Sequence, residues 1–510
     1  MKQIIKEYYE EIKDLLKNKT FSILILLVTI LSYGFTITHY SIGIDDLCFD
    51  KYVTGTYIIS AGRWGTALIY NLLGITNFSP FWLDLIVTIL TVILGLIFTA
   101  FIKRNFSKEL NIWHYIIITS IIISFPILSL SFIFQSTNLS VIISNIYLMC
   151  IPIIIYELFK NKKMDIATII FLGLTLPFFI SMYESCCQTF VALTFIITFL
   201  YTATCTKEER KKIIKYVIFS MTALIIGIIV NFIMCKYINF ILEQNGRLTP
   251  NYAYKLIPWT DSKYDMNILF KKYFTDPLIS EIQYTYYIRN FFILFIITFI
   301  ITLIKSIKTK NIYLIPSLLI ILLSGFFINL MQGYFILRID TSWIFTLGFM
   351  VAYILTSINN KKINTFISAL LLFIVFLQTR TLNQDFYNDY IRYKKEENYA
   401  YSVAYEIINT CIDTSKPIVF YYSTLDGRHQ TQINEVNGKS LFNWGSGGFE
   451  IPGEEITKFI NSLGFNFNAS DKDLQAEATY DIKNRDLILY KNQRVYESDN
   501  YILVLFNINI

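Results

Sequence analysis

Charge is scarce in this chain. Asp, Glu, Lys and Arg supply 16% of its 510 residues, against roughly a quarter in soluble globular domains. A water-soluble particle of this length is excluded, because its surface would lack groups to face water. Histidine is scarcer still, and three residues leave a histidine-built metal centre without material. Ten prolines and 20 glycines exclude collagen-like and low-complexity chains. Seven cysteines give no disulfide framework: Cys150, Cys205 and Cys235 lie in or beside apolar runs, Cys186 and Cys187 are adjacent, and Cys411 stands alone in a polar tail. The net charge of +6 comes with no zinc, haem or nucleic-acid pattern, and no nucleic-acid partner is expected.

What the sequence does hold is apolar surface: 54% of residues are hydrophobic and 17% aromatic. The little charge is unevenly spread, with 30 of 82 charged residues after Arg380. Apolar runs long enough to cross a hydrocarbon core extend from Phe21 to Thr38, Phe81 to Ile102, Ile112 to Phe132, Leu139 to Leu158 and Ile166 to Met182. They continue from Cys186 to Leu200, Ile213 to Ile233, Phe291 to Ile304, Ile312 to Leu330, Trp343 to Ile358 and Ile363 to Leu377. The chain is expected to be a polytopic α-helical membrane protein of about eleven spans. Pro126, Pro152, Pro177 and Pro316 fall within these runs, where neighbouring helices can accommodate them. Ala67 to Leu73 is too short to span and suits an interface.

Three regions follow: a leader over 1–20, a membrane domain over 21–380 with outer loops 39–79 and 239–290, and a domain over 381–510. The leader carries Glu7, Glu10 and Glu11 and no small-residue cleavage site, unlike a signal peptide. Ile5, Tyr8, Ile12 and Leu15 fall on one helical face, suiting either a helix on an anionic cytoplasmic surface or a solvated extension of the first span. Lysine and arginine cluster in alternate short connections, at Lys103, Arg104 and Lys108, at Lys160 to Lys163, at Lys207 to Lys215, at Lys305 to Lys310 and at Lys361 and Lys362. The other short connections hold only Lys51, Arg63 and Arg338. By the positive-inside rule the N-terminus is inside and residues 381–510 emerge outside. In that outer region Asp385 to Ile412 predicts a long helix, Pro417 to Tyr422 and Tyr501 to Phe506 buried strands, and Glu454 to Leu463 a second helix, together a small α+β domain.

Chemistry is best placed in the first outer loop, which reads Gly43-Ile44-Asp45-Asp46-Leu47 and then Ala61-Gly62-Arg63-Trp64-Gly65. Two adjacent carboxylates beside a membrane are costly, and like charge with partial burial tunes a carboxylate toward general-base work. Arg63 can hold a phosphate in its planar fork, and Trp64 offers an apolar face to a sugar. The same residues also suit a helix cap with an interfacial Arg-Trp anchor. Tyr183, Glu184 and Gln188 interrupt apolar sequence on the same side, and Arg338 and Asp340 precede Trp343. Each alone fits a structural ion pair or amide cap. Together they gather acids, amides and two arginines where a lipid phosphate headgroup would lie. Asp471-Lys472-Asp473 matches a D-x-D pattern but sits in a polar stretch that favours a turn, and Trp444-Gly445-Ser446-Gly447-Gly448 lacks the spacing of a phosphate cradle. His39, near the carboxylates, suits a capped interface position better than a base.

These residues resemble a family. Asp45-Asp46 followed by Gly62-Arg63-Trp64-Gly65, the Ser181-Met182-Tyr183-Glu184 segment with its S-x-Y pattern, Arg338, and the aromatic Val436 to Trp444 segment look like the glucosyltransferase family of serotype-converting phages and its bacterial relatives. The resemblance runs the length of the chain. One departure stands out, since many relatives carry Gln where Glu184 follows the motif tyrosine.

The resemblance implies a GT-C type glycosyltransferase of the bacterial cytoplasmic membrane. Its members move a sugar, typically glucose, from a polyprenyl-phosphate carrier to a surface polysaccharide outside the cytoplasm. Partners would be that donor, a surface glycan acceptor, membrane lipid, and a donor synthase and flippase acting upstream. A phosphate leaves without a general acid, so Asp45 or Asp46 would serve as base and Arg63 and Arg338 as cations, with inversion by single displacement. No cofactor is required, although a divalent metal at Asp45 and Asp46 is compatible. Two other classes stay open: a lipid-linked oligosaccharide flippase, or a surface-polysaccharide polymerase or ligase. The absence of a convincing internal repeat and the gathering of polar residues on one side count against transport.

Overall fold

The computed structural model describes residues 2–43, 46, 58–59, 61–75, 79–106, 110–244, 285–326, 340–421, 442, 452–484 and 494–505. The chain divides into two compact units. The first comprises Met1–Thr38, Asp50–Phe132 and Thr137–Asn383; the second comprises His39–Phe49, Ile133–Ser136 and Gln384–Ile510.

The first unit is helical. It opens with α1 (Lys2–Lys17) and α2 (Lys19–Thr38), separated by Asn18, whose Oδ1 accepts the Phe21 N–H at 3.1 Å. Then come α3 (Trp64–Leu72), α4 (Pro80–Phe106), α5 (Ile112–Ile123), α6 (Ile127–Phe132) and α7 (Gln135–Lys160). After α8 (Ile166–Ile180) and a single 3-10 turn (Glu184–Cys186) follow α9 (Cys187–Thr204), α10 (Ile213–Gln244), α11 (Thr285–Thr309), α12 (Leu314–Ser324) and α13 (Trp343–Ser357). Residues 245–284, which hold most of the second expected outer loop, lie outside the described residues. The 50-residue α14 (Lys361–Thr410) carries the chain onward.

Seven of the described helices are long and apolar enough to cross a membrane. Four shorter apolar helices, Ile112–Ile123, Ile166–Ile180, Leu314–Ser324 and Trp343–Ser357, fall in the remaining expected runs. The chain is a polytopic helical membrane protein. Its outer helices bear this out at the level of side chains: α2 exposes Ile23, Leu26 and Ile30, and α10 exposes Ile225, Ile229 and Ile233, residues that only lipid would cover at low cost. In contrast, α13 is buried over Trp343 to Leu355.

Caps and prolines set the boundaries. Asn111 and His114 form a reciprocal capping box at the start of α5, and Asp165 accepts the Thr168 N–H at 2.7 Å to start α8. Pro126 divides the expected run Ile112 to Phe132 into α5 and α6, because its ring disfavours helical backbone at the preceding residue and it cannot donate a hydrogen bond. Pro152 and Pro177 stay inside α7 and α8. Helices α8 and α10 approach closely where Gly173 faces Ile226 and Gly227 faces Leu176, with no room for a Cβ at Gly227, a packing mode typical of membrane helices.

The leader helix α1 docks on the first unit through one face. Tyr8 and Leu15 are buried and Ile12 packs partly against the core, as expected, whereas Ile5 is exposed and Ile4 is buried in its place. Polar contacts flank this face. Tyr8 Oη donates to Glu157 at 2.9 Å, Arg104 pairs with Glu7 and Glu157, and Lys103 pairs with Glu11 and Asp14.

The second unit holds a three-stranded sheet in the order β1-β3-β2, from β1 (Ile418–Tyr421), β2 (Val495–Glu497) and β3 (Ile502–Leu505). β1 runs parallel to β3 with Ile418 opposite Ile502, and β2 runs antiparallel to it with Val495 opposite Val504. Alternation along the strands sends Ile418, Phe420, Ile502 and Val504 into one core with Val403, Ala404 and Ile407 of α14 and with Phe459 and Ile460 of α15 (Pro452–Ser462). Val419, Leu503 and Leu505 face the opposite way, against Ala478 of α16 (Lys472–Asn484). The expected break between a last span and a tail helix is absent, since α14 is continuous across it.

Candidate functional site

In the first unit two turns dock on one another. Gly62 takes a positive φ of 80°, which turns the backbone into α3 at little cost for glycine. At Gly65 a Cβ would collide with Ser181 Oγ and the Phe178 carbonyl oxygen, so glycine lets the start of α3 lie directly on the end of α8. Thr66 Oγ1 donates to the Met182 carbonyl at 2.8 Å, and Trp64 Nε1 donates to Asn231 Oδ1 at 3.1 Å. The Trp64 ring meets Phe178 with centroids 5.9 Å apart.

This docking delivers Arg63 to Tyr183 and Glu184. The guanidinium carbon lies 4.8 Å from the Tyr183 ring centroid, and Arg63 Nε lies 3.5 Å from Glu184 Oε2. The cation–π contact places the guanidinium over the ring, while the long and partly exposed ion pair to Glu184 adds little. Arg63, Trp64, Tyr183 and Glu184, chosen from two distant segments, are therefore one cluster.

Gln188 and Asp340 are fully buried. Their neighbours meet at one residue: Thr189 Oγ1 donates to Asn145 Oδ1 at 2.6 Å, and Thr341 Oγ1 donates to the same atom at 3.2 Å. The start of α9 and the turn before α13 are thus tied to α7. Nearby, the buried hydroxyls of Ser140, Ser185 and Ser342 have no hydrogen-bond partner among the described residues. Orphaned polar atoms of this kind are rare in native interiors and suit an occupant that supplies the missing bonds.

A buried carboxylate that sequence reasoning missed lies at the same end of the helices. Asp84, fully buried in α4, accepts from Thr36 Oγ1 at 2.9 Å and faces Asn138 Nδ2 at 3.5 Å. Its signal was a lone acid inside an apolar span, where ionisable groups are expensive and usually functional.

Asp46 belongs to the second unit and is buried, at 3% exposure. Its Oδ2 accepts the Gly43 N–H at 2.9 Å and its Oδ1 accepts the Ser136 N–H at 2.8 Å. A carboxylate so held is fixed in direction. The preceding residues are anchored to α14: Ser41 Oγ donates to Asp389, and Arg392 donates to the Ile42 carbonyl at 3.0 Å. Arg392 in turn bridges Asp389 at 2.9 Å and Glu396 at 2.7 Å. These three positioning residues were also missed; their spacing on one face of a helix was visible, but not what they hold. His39 packs edge-on against Tyr390, with centroids 5.3 Å apart.

Asp45 and Arg338 lie outside the described residues, as do Trp444 to Gly448. Asp471 caps α16, accepting the Leu474 N–H at 2.9 Å, so the D-x-D segment is a helix start. Among the described residues no three His, Cys, Asp or Glu side chains converge as a metal site.

The family model described as glucosyl transferase GtrII matches residues 33–347, more than half of the chain and a stretch containing Asp45, Asp46, Arg63, Trp64, Tyr183, Glu184, Gln188, Arg338 and Asp340. No curated protein and no solved structure matches the chain. The chain belongs to the GtrII glucosyl transferase family.

Proposed function

We propose that this protein transfers a glucosyl group from a polyprenyl-phosphate carrier to a glycan of the bacterial cell envelope, on the outer side of the cytoplasmic membrane. The observation that carries the proposal is Arg63 held over the Tyr183 ring and beside Glu184 at the Gly62–Gly65 turn, within the family match. A guanidinium held over an aromatic ring, beside a partly exposed carboxylate, suits exchange of that carboxylate for a phosphate. Eleven spans, an inner N-terminus and an outer second unit complete the proposed topology.

A lipid-borne donor fits such a site, because a carrier that lies in the bilayer brings its phosphate to the membrane edge. The leaving phosphate needs cations rather than an acid, a role proposed for Arg63 and Arg338. Asp45 or Asp46 takes the proton of the acceptor hydroxyl as it attacks the anomeric carbon, the bond to phosphate breaks, and the configuration inverts. Trp64 offers a face to the sugar, and Tyr183 supports Arg63 beside it. Gln188 and Asp340 are proposed to contact the donor or acceptor as well.

The test uses membranes bearing the full chain, polyprenyl-phosphate glucose with a labelled sugar, and the host envelope glycan as acceptor. Replacing Asp45 and Asp46 by Asn, one at a time, should lower transfer roughly 10²–10⁴-fold in at least one variant, with normal amounts of protein in the membrane. Full transfer by both variants would remove the base assignment. Linkage analysis distinguishes classes: one missing side-branch hexose without the gene supports transfer, whereas shortened chains would support polymerisation.

A further inference from the structure

A second polar site lies at the other end of the first unit, where α1 docks. The ends of α4, α9, α11 and α13 there surround a cavity of about 860 Å³. Its deep wall is apolar, formed by the buried Ile102, Leu200 and Ala352. Four cations line it: Lys103, Arg104, Lys305 and Lys308.

These cations are not equivalent. Lys103 and Arg104 are engaged by carboxylates of α1 and by Glu157. Lys305 and Lys308 have no carboxylate partner among the described residues. Lys305 Nζ sits 5.5 Å from the ring centroid of Tyr353, which is only 3% exposed. The Tyr353 hydroxyl, buried in the wall, makes no hydrogen bond of normal geometry, although the hydroxyls of Thr302 and Ser357 are close. A buried hydroxyl without a hydrogen-bond partner, beside the uncompensated Lys305 and lining one cavity with Lys308, is an incomplete anion site.

We propose that this cavity binds the phosphate head of an anionic membrane lipid, with Lys305 and Lys308 taking the charge and Tyr353 Oη donating a hydrogen bond. A lipid is favoured over free phosphate by the surface beside the cations. On α11, Ile300, Ile304 and Ile307 are 50%, 49% and 69% exposed, and Ile304 itself lines the cavity. That row offers acyl chains a track continuous with the headgroup site. Basic pockets between membrane helices recognise lipid phosphates in this way. The proposal is independent of sugar transfer, since neither cation nor tyrosine belongs to the Arg63 cluster.

The test measures binding of dioctanoyl phosphatidic acid to the full chain purified in neutral detergent. Saturable binding is expected, with affinity about tenfold lower in K305Q/K308Q and unchanged in K212Q, which alters an exposed cation outside the cavity. Y353F, which removes one oxygen, should weaken binding by a smaller factor without disturbing the fold, and K305R/K308R should retain it. Inorganic phosphate should fail to displace the probe at equal concentration. Binding that is indifferent to K305Q/K308Q and Y353F would overturn the proposal. So would equal displacement by inorganic phosphate, which would make this a free-phosphate site. Because no sugar is involved, a chain inactive in transfer still reports the result.

Discussion

At the scale of single residues, Gly65 and Glu184 make the sharpest claims. A methyl group at Gly65 would meet Ser181 Oγ and the Phe178 carbonyl, so G65A must push the start of α3 off α8. Overpacking of this kind costs about 1–3 kcal/mol, and here it would also displace Arg63 from Tyr183. Lower thermal stability together with a larger loss of transfer is expected; unchanged behaviour in both would mean that the turns do not dock. Glu184 stands where resembling sequences often carry Gln, and its carboxylate faces Arg63 at 3.5 Å. If a donor phosphate must replace it there, E184Q removes the competitor and should lower KM for the donor while leaving kcat near its starting value. A fall in kcat of tenfold or more would instead give the carboxylate a direct part in the reaction. Both segments were legible in the sequence because glycine and charge interrupt apolar runs there. Asp84 left the same kind of signal, a lone acid in an apolar run, whereas Asn145 left none. The importance of Asn145 comes from which helices meet around it, and helical order along a chain does not reveal neighbours in space.

Elements were readable where their own residues enforce them. The apolar runs became helices, and the alternation around Ile418 and Ile502 became strands. Three-residue β2 was too short to show a period, and α16 is so polar that only its Asp471 cap marked it. Continuity of α14 was hidden as well, because a change from apolar to polar residues looks like a boundary although nothing there interrupts helical backbone. Short β2 nonetheless has a task. Its last residue, Glu497, accepts from Lys416 Nζ at 2.7 Å and from the Ile412 and Asp413 N–H groups at 2.6 and 3.2 Å, closing the turn that leads from α14 to β1. The Lys416 hydrogen bond is the main reason that the Glu497 carboxyl is held below its ordinary value of 4.5. A depressed folded-state value stabilises the fold above the unfolded value and is lost as pH falls through the folded one. Melting temperature should therefore drop on acidification below about pH 4.5, and E497Q should flatten part of that slope while lowering stability at neutral pH. An acid slope identical in E497Q would assign it to other carboxylates.

For the whole molecule, polarity between the two ends of the first unit links fold to function. One end gathers Arg63, Tyr183, Glu184 and the buried Asp84; the other gathers α1, Lys103, Arg104, Glu157 and the lysine-lined cavity. Scarcity of charge is what makes this polarity visible, because 21 of the 44 Lys and Arg residues lie in the leader and the alternate short connections. A chain inserted by the positive-inside rule would place that basic end in the cytoplasm and the Arg63 end outside, where nucleotide sugars are absent and a lipid-borne donor is needed. Single cysteines test this orientation directly. Lys212 and Asp473 are exposed, while the native thiols among the described residues are buried or only partly accessible, so background labelling should be low. In intact cells a membrane-impermeant maleimide should label D473C and spare K212C, and permeabilisation should make K212C reactive. Labelling of both before permeabilisation would indicate leaky cells, which an impermeant dye detects independently. Labelling of K212C alone would invert the topology, and with it the outer-face mechanism, because the carboxylates and arginines would then face nucleotide sugars and the need for a polyprenyl-phosphate donor would disappear.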